Sequence, residues 1–199
     1  MPRKNRGYKR GEPFRDARLF VIACEGAKRE KAYFEALVRE NQRVKVRVLA
    51  PEKDNAGYSA PKWVLDRAAL YVEEYGLAAD DQLWLVMDTD AWREENLREI
   101  IGHCREAASW HIALSNPCFE VWLFQHLAGL PKVPAKTCNE LKQGLNELIS
   151  GGYKVELFLG HLEAAIQRAA ENDGNPGHEF PGEMETKVYL LARAIRNFL

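Results

Sequence analysis

The chain has 199 residues, 46% of them hydrophobic and 29% charged, with a net charge of −1. That is the balance of a folded domain large enough to bury a sizeable core. It excludes a wholly disordered chain and a uniformly basic nucleic-acid coat, and no apolar run reaches the roughly 20 residues needed to span a bilayer.

Residues 1–17 form a basic arm that carries Arg3, Lys4, Arg6, Lys9, Arg10 and Arg15 against Glu12 and Asp16. Such an arm either orders on a phosphate backbone or is a solvated tail. No apolar stretch follows it, so it does not read as an export signal. Arg18–Cys24 (RLFVIAC) predicts a strand buried on both faces, ended by Glu25-Gly26. Lys28 to Glu40 predicts an amphipathic helix, and the alternating Val44–Leu49 a strand nearer an edge. A Pro/Asn/Gly/Ser loop over 51–61 leads to a helix over Trp63–Tyr75, which Gly76 would stop.

Gln82–Met87 (QLWLVM) is a third buried strand running into Asp88-Thr89-Asp90, followed by a helix over Arg93–Ala107 and a short strand over Trp110–Leu114. Ser115-Asn116-Pro117 is expected to cap a helix over Cys118–Leu127, with the proline in its first turn. Strands alternating with helices demand crossovers and imply a parallel sheet covered on both faces. Pro131–Lys136 reads as a linker, and the rest as helices over 138–149, 157–171 and 185–197. The predicted division is the arm 1–17, an α/β domain over 18–130, and a helical extension over 131–199 packed on it.

In an open parallel sheet, ligands bind beyond the carboxyl ends of the strands. Glu25 ends the first strand, and Asp88 and Asp90 end the third. Three carboxylates crowded there would repel one another, and a hard divalent cation such as Mg²⁺ relieves that repulsion. The first and third strands must then be neighbours. Ser115-Asn116-Pro117-Cys118-Phe119-Glu120 begins at the same edge. Glu120 either complements a helix dipole or joins the cation site, and the free N–H groups there could hold a phosphate. Phe119, Trp122 and Leu123 read as core. Lys28 and Arg29, just past Glu25, extend the candidate phosphate-binding set.

The five histidines form no metal set, and no His/Cys spacing suits zinc. There is no P-loop, so ATP hydrolysis would have to come from a partner, and no serine nucleophile elbow is present. The four cysteines form no CxxC. Without an export signal they fit a reduced, cytoplasmic protein, with Cys24 and Cys118 as buried thiols.

A strand into Glu-Gly and another into Asp-x-Asp resembles the Toprim pattern of primases, topoisomerases and related nucleases. More narrowly, FVIACEGAKREKAYFEAL, LWLVMDTDAW, IALSNPCFEVWLFQHL, GGYK, LEAAIQRA and METKVYLLARAI resemble the RloB family of bacterial proteins along nearly the whole chain. The resemblance implies a Toprim-like fold in which Glu25 is the Toprim glutamate and Asp88 and Asp90 its metal pair, with Glu120 inside the family's own block. It further implies a component of anti-phage defence, often encoded beside an ATPase. Two departures stand out. Arg29-Glu30 replaces the usual Thr-Glu, and Gly182 to Thr186 replaces the usual Asn-Pro-Ser-Thr. The expectations are a nuclease using Mg²⁺ or Mn²⁺ on DNA or RNA, a non-catalytic module that binds nucleic acid or an ATPase, or a phosphoryl or nucleotidyl transferase at the same site.

Overall fold

The computed structural model of the protein describes residues 17–38, 43–51, 61–90, 92, 94–127, 137–149 and 153–199. The expectations for the arm through residue 16, most of the 51–61 loop and the 131–136 linker lie outside the described residues. Among the described residues four strands and eight helices follow in chain order: β1 (Arg18–Cys24), α1 (Arg29–Leu37), β2 (Val44–Leu49), α2 (Pro61–Tyr75), β3 (Gln82–Asp88), α3 (Glu94–Arg105), β4 (Trp110–Ser115), α4 (Glu120–Leu127), α5 (Cys138–Leu148), α6 (Val155–Leu159), α7 (Leu162–Asn172) and α8 (Val188–Arg196).

All three strand pairings are parallel, in the order β2-β1-β3-β4. The central strands β1 and β3 are the two continuous apolar runs, as burial on both faces requires. The period of two sorts their side chains between two cores. Phe20, Ile22, Cys24, Trp84 and Val86 face α1 and the helices from α4 to α8. Val21, Ala23, Leu83, Leu85 and Met87 face α2 and α3. The residues after 137 share the first of these cores and extend it. Gly76 ends α2 with φ of +66°, a left-handed conformation that a side chain would strain. Among the described residues no helix is long and apolar enough to cross a membrane.

Three local expectations are corrected. Pro117 is not in the first turn of α4, which starts at Glu120. Its carbonyl instead accepts the backbone N–H groups of Thr89 and Asp90, both at 3.2 Å. Residues 157–171 are not one helix, because the chain breaks at Gly160-His161 between α6 and α7. The break lets α6 pack on α1 and α4 while α7 lies along α4 and α8. Glu185–Lys187 is not helical either. It lies antiparallel beside the end of β4, with a bridge between Ser115 and Thr186. The N–H of Lys187 donates to Leu114 O at 2.7 Å, and that of Asn116 to Glu185 O at 2.9 Å. Pairing with an exposed strand edge satisfies these groups better than a helical turn would.

The fully buried His126 of α4 sits between Tyr33 and Trp122. Trp122 O can only accept, so Nδ1–H donates to it at 3.0 Å and Nε2 accepts the Tyr33 hydroxyl at 2.9 Å. This pairing needs a neutral ring. Burial pushes its pKa down to about 4, although the Trp122 carbonyl favours the proton. An unfolded histidine titrates near 6.5, so between these values the unfolded chain binds a proton that the native one excludes. The stability held by His126 is therefore full above about pH 6.5 and falls as pH drops toward 4, by up to about 3 kcal/mol. Urea unfolding at pH 7.5 and pH 5 should show this loss in wild type and not in His126→Asn. An equal loss in both would reject it.

Candidate functional site

Register explains how Glu25 meets Asp88. Cys24 pairs with Val86, so Glu25 reaches the level at which β3 ends. Glu25 Oε2 accepts the Asp88 backbone N–H at 3.2 Å, and Oε1 accepts Trp92 Nε1–H at 3.1 Å. Asp88 continues the even-numbered face of β3, toward α1 and α4. There its Oδ1 accepts the Phe119 backbone N–H at 2.9 Å, one of the donors that a helix start leaves unpaired. The carboxylate of Asp88 thus caps the entry to α4, a role the sequence assigned to Ser115 or Asn116. Those two look the other way. Ser115 Oγ bonds Thr186 Oγ1 at 2.8 Å, and Asn116 Nδ2 donates to Pro181 O at 3.4 Å.

The exposed Asp90 accepts the Cys138 thiol on Oδ2 at 2.8 Å. Glu120 is 4% exposed at the start of α4, and Arg29 Nη1 reaches its Oε1 at 2.7 Å. The guanidinium also lies 5.8 Å from the Tyr153 ring centre. Arg29, expected among the phosphate contacts, is thus joined to Glu120. Lys28 stands exposed one residue before α1.

Two charged residues were missed. Glu30 tucks its carboxylate against Gly26 so closely that a Cβ there would come within 1.9 Å of an oxygen. This contact is the steric reason for glycine after Glu25. Lys142, one turn along α5 from Cys138, is the cation beside the cluster. Burial works against its charge, but Glu120, both thiols and Asp88 outweigh that and raise its pKa above the ordinary lysine value. The Thr/Arg-Glu pattern was a weak sign for Glu30. Nothing in the sequence signalled Lys142.

The carboxylates raise one another. Burial pushes Glu25 up to about 7, against the two N–H donors that hold it down and with Glu30 and Asp90 adding to the rise. Burial also lifts Asp88 well above the carboxylate range, reinforced by Glu30, Glu25 and Glu120. Glu30 is raised chiefly by burial and next by Glu120. The crowded carboxylates of Glu25 and Asp88, which resist ionising, and the exposed Asp90 beside them could hold a hard divalent cation. The tightest grouping has another composition. Among the described residues, the one set of three ligand-bearing side chains whose donor atoms all lie within 4.8 Å of one another is Asp88, Cys118 and Cys138. Glu25 stands outside it.

A family model described as RloB-like protein matches residues 20–195, nearly the whole chain. No curated protein and no solved structure matches the chain.

Proposed function

The chain belongs to the RloB-like family, and on that premise we propose that it is a divalent-metal-dependent nuclease. It would hydrolyse phosphodiester bonds of DNA or RNA in bacterial anti-phage defence, under the control of a partner ATPase. The observation that carries the reading is the hydrogen bond from the Asp88 N–H to Glu25 Oε2 at the sheet's carboxyl edge, with Glu30 and Glu120 crowded beside it. Glu25, Asp88 and Asp90 are the residues to hold Mg²⁺ or Mn²⁺. When bound, the cation supplies the positive charge that holds a scissile phosphate and stabilises its transition state.

The chain's own residues do the rest. In the metal-free chain burial lifts the Glu25 pKa to about 7, and a bound cation would hold its carboxylate ionised as a ligand. Asp88 is fixed by the Phe119 N–H, and Glu25 by Trp92, so neither must be ordered when substrate arrives. Arg29 neutralises Glu120 and ties α1 to α4. Contact with nucleic acid would fall to Arg3, Lys4, Arg6, Lys9, Arg10, Lys28 and any part of Arg29 that Glu120 leaves open.

The test incubates the pure chain with labelled DNA and RNA pools in Mg²⁺, Mn²⁺ or EDTA, with and without a candidate partner ATPase. Cleavage with either metal and none in EDTA is the expected result. A rise in melting temperature with metal but no cleavage under any condition would leave a non-catalytic module that binds nucleic acid or the ATPase.

A further inference from the structure

We propose that Cys118, Cys138, Asp88 and Asp90 form a second kind of metal site, an S₂O₂ set that takes Zn²⁺. Zinc is held tetrahedrally by thiolate sulfur at about 2.3 Å and by carboxylate oxygen at about 2.0–2.2 Å, so two ligands of one ion stand roughly 3.3–3.8 Å apart. The donor atoms of Asp88, Cys118 and Cys138 already lie within 4.8 Å of one another. Asp90 Oδ2, at 2.8 Å from Cys138 Sγ but outside that set of three, would turn in as the fourth donor.

Each ligand is carried by a fixed element. Cys118 is buried in the turn whose Pro117 carbonyl binds Thr89 and Asp90. Cys138 is the first residue of α5, where Thr137 and Glu140 cap each other's backbone N–H groups. Asp88 is fixed by the Phe119 N–H. Closing the set requires the three donors to draw in by up to about 1 Å and Asp90 to turn toward Asp88 and Cys118.

The chemistry separates this site from the one proposed for Mg²⁺. Magnesium has no use for sulfur, whereas thiolates select zinc among the common divalent ions. The two sites share Asp88 and Asp90, so the ions should exclude each other. Lys142, one turn along α5, is exposed and can swing into solvent as the zinc enters. No zinc spacing is visible along the chain because the ligands come from residues 88, 90, 118 and 138, which only the fold collects.

The inference does not depend on nuclease activity, and its test uses no nucleic acid. ZnCl₂ is titrated into the full-length reduced chain against a chromophoric chelator. One Zn²⁺ per chain is expected, with Kd below about 1 μM, weakened at least ~100-fold in Cys138→Ser. Co²⁺ bound in its place should show thiolate-to-metal charge-transfer absorption that falls to half or less in Cys138→Ser, which keeps one thiolate. Cys138 is half-buried at a helix start, so its serine variant should fold, and its melting temperature will show whether it does. Cys118→Ala is the second variant should that fail. Absence of zinc binding by folded, reduced wild type overturns the proposal. So does affinity that neither cysteine variant changes, which would place the ion on carboxylates alone. So would a Cys118–Cys138 disulfide formed in air by a protein that binds no zinc when reduced. Failure to bind zinc leaves the nuclease reading untouched, and failure to cleave leaves this one untouched.

Discussion

Asp88→Asn is expected to lower metal-dependent cleavage by at least ~100-fold while making the metal-free protein more stable. Asparagine keeps the oxygen that accepts the Phe119 N–H at 2.9 Å, so the entry to α4 is preserved. It removes the charge that would hold the cation. In the metal-free protein Asp88 is pushed well above the carboxylate range by burial and by Glu30, Glu25 and Glu120. The sign follows from linkage. A carboxyl whose folded pKa is raised disfavours the folded state once pH climbs above the unfolded value near 4. At pH 8 the variant should therefore be more stable than wild type. Mg²⁺ at 100 times its Kd should stabilise wild type by about 2.7 kcal/mol and should leave the variant unmoved. Thermal melts with Mg²⁺ and with EDTA, beside a cleavage assay, read all three effects. A variant that is less stable without metal, or that still responds to Mg²⁺, would place the cation elsewhere.

Lys187→Met should cost about 3–5 kcal/mol, the largest stability loss expected from a single change far from the acidic cluster. The Lys187 side chain is 1% exposed and that of Asp173 is fully buried. Nζ lies 2.6 and 2.7 Å from the two Asp173 oxygens and 2.8 Å from Asn175 O. The Tyr189 hydroxyl donates to the same carboxylate at 2.8 Å. Although burial opposes the charge on Asp173, these partners hold its pKa below the ordinary value. Methionine fills the lysine's volume but leaves a buried carboxylate short of its counter-ion. The double variant Lys187→Met/Asp173→Leu should recover much of the loss, since removing both charges removes the desolvation cost as well. Urea unfolding of the two single variants and the double closes the cycle. Additive losses in the double variant would mean that the pair is not coupled.

Much of this architecture could be read from the chain. The apolar runs at 18–24 and 82–87 are strands because only a strand covered on both faces buries every side chain in such a run, and the Glu25–Asp88 contact follows from their adjacency. The misreadings share one cause, a local preference overruled by a distant partner. Ser115 and Asn116 favour helix caps, yet Thr186 and Pro181 claim their side chains. Glu185–Lys187 has helical company on its carboxyl side but is held extended by Leu114 and Asn116. The site divides in the same way. Glu25 and Asp88 sit at strand ends, where position alone announces them. Cys118, Cys138 and Lys142 come from separate elements whose meeting depends on how α5 packs on α4. No spacing rule spans that distance.

The antiparallel bridge between Ser115 and Thr186 also sets an order in time. A ribosome releases residues 18–127 well before Thr186, so β1 to β4 can pair while the far edge of β4 still lacks this partner. Every carboxylate of the acidic cluster is then already in the chain, but the turn that carries Cys118 is anchored on one side only. The residues that hold the outer side of the turn from Ser115 to Pro117, which are Pro181, Glu185 and Thr186, are thus the last of its partners to leave the ribosome.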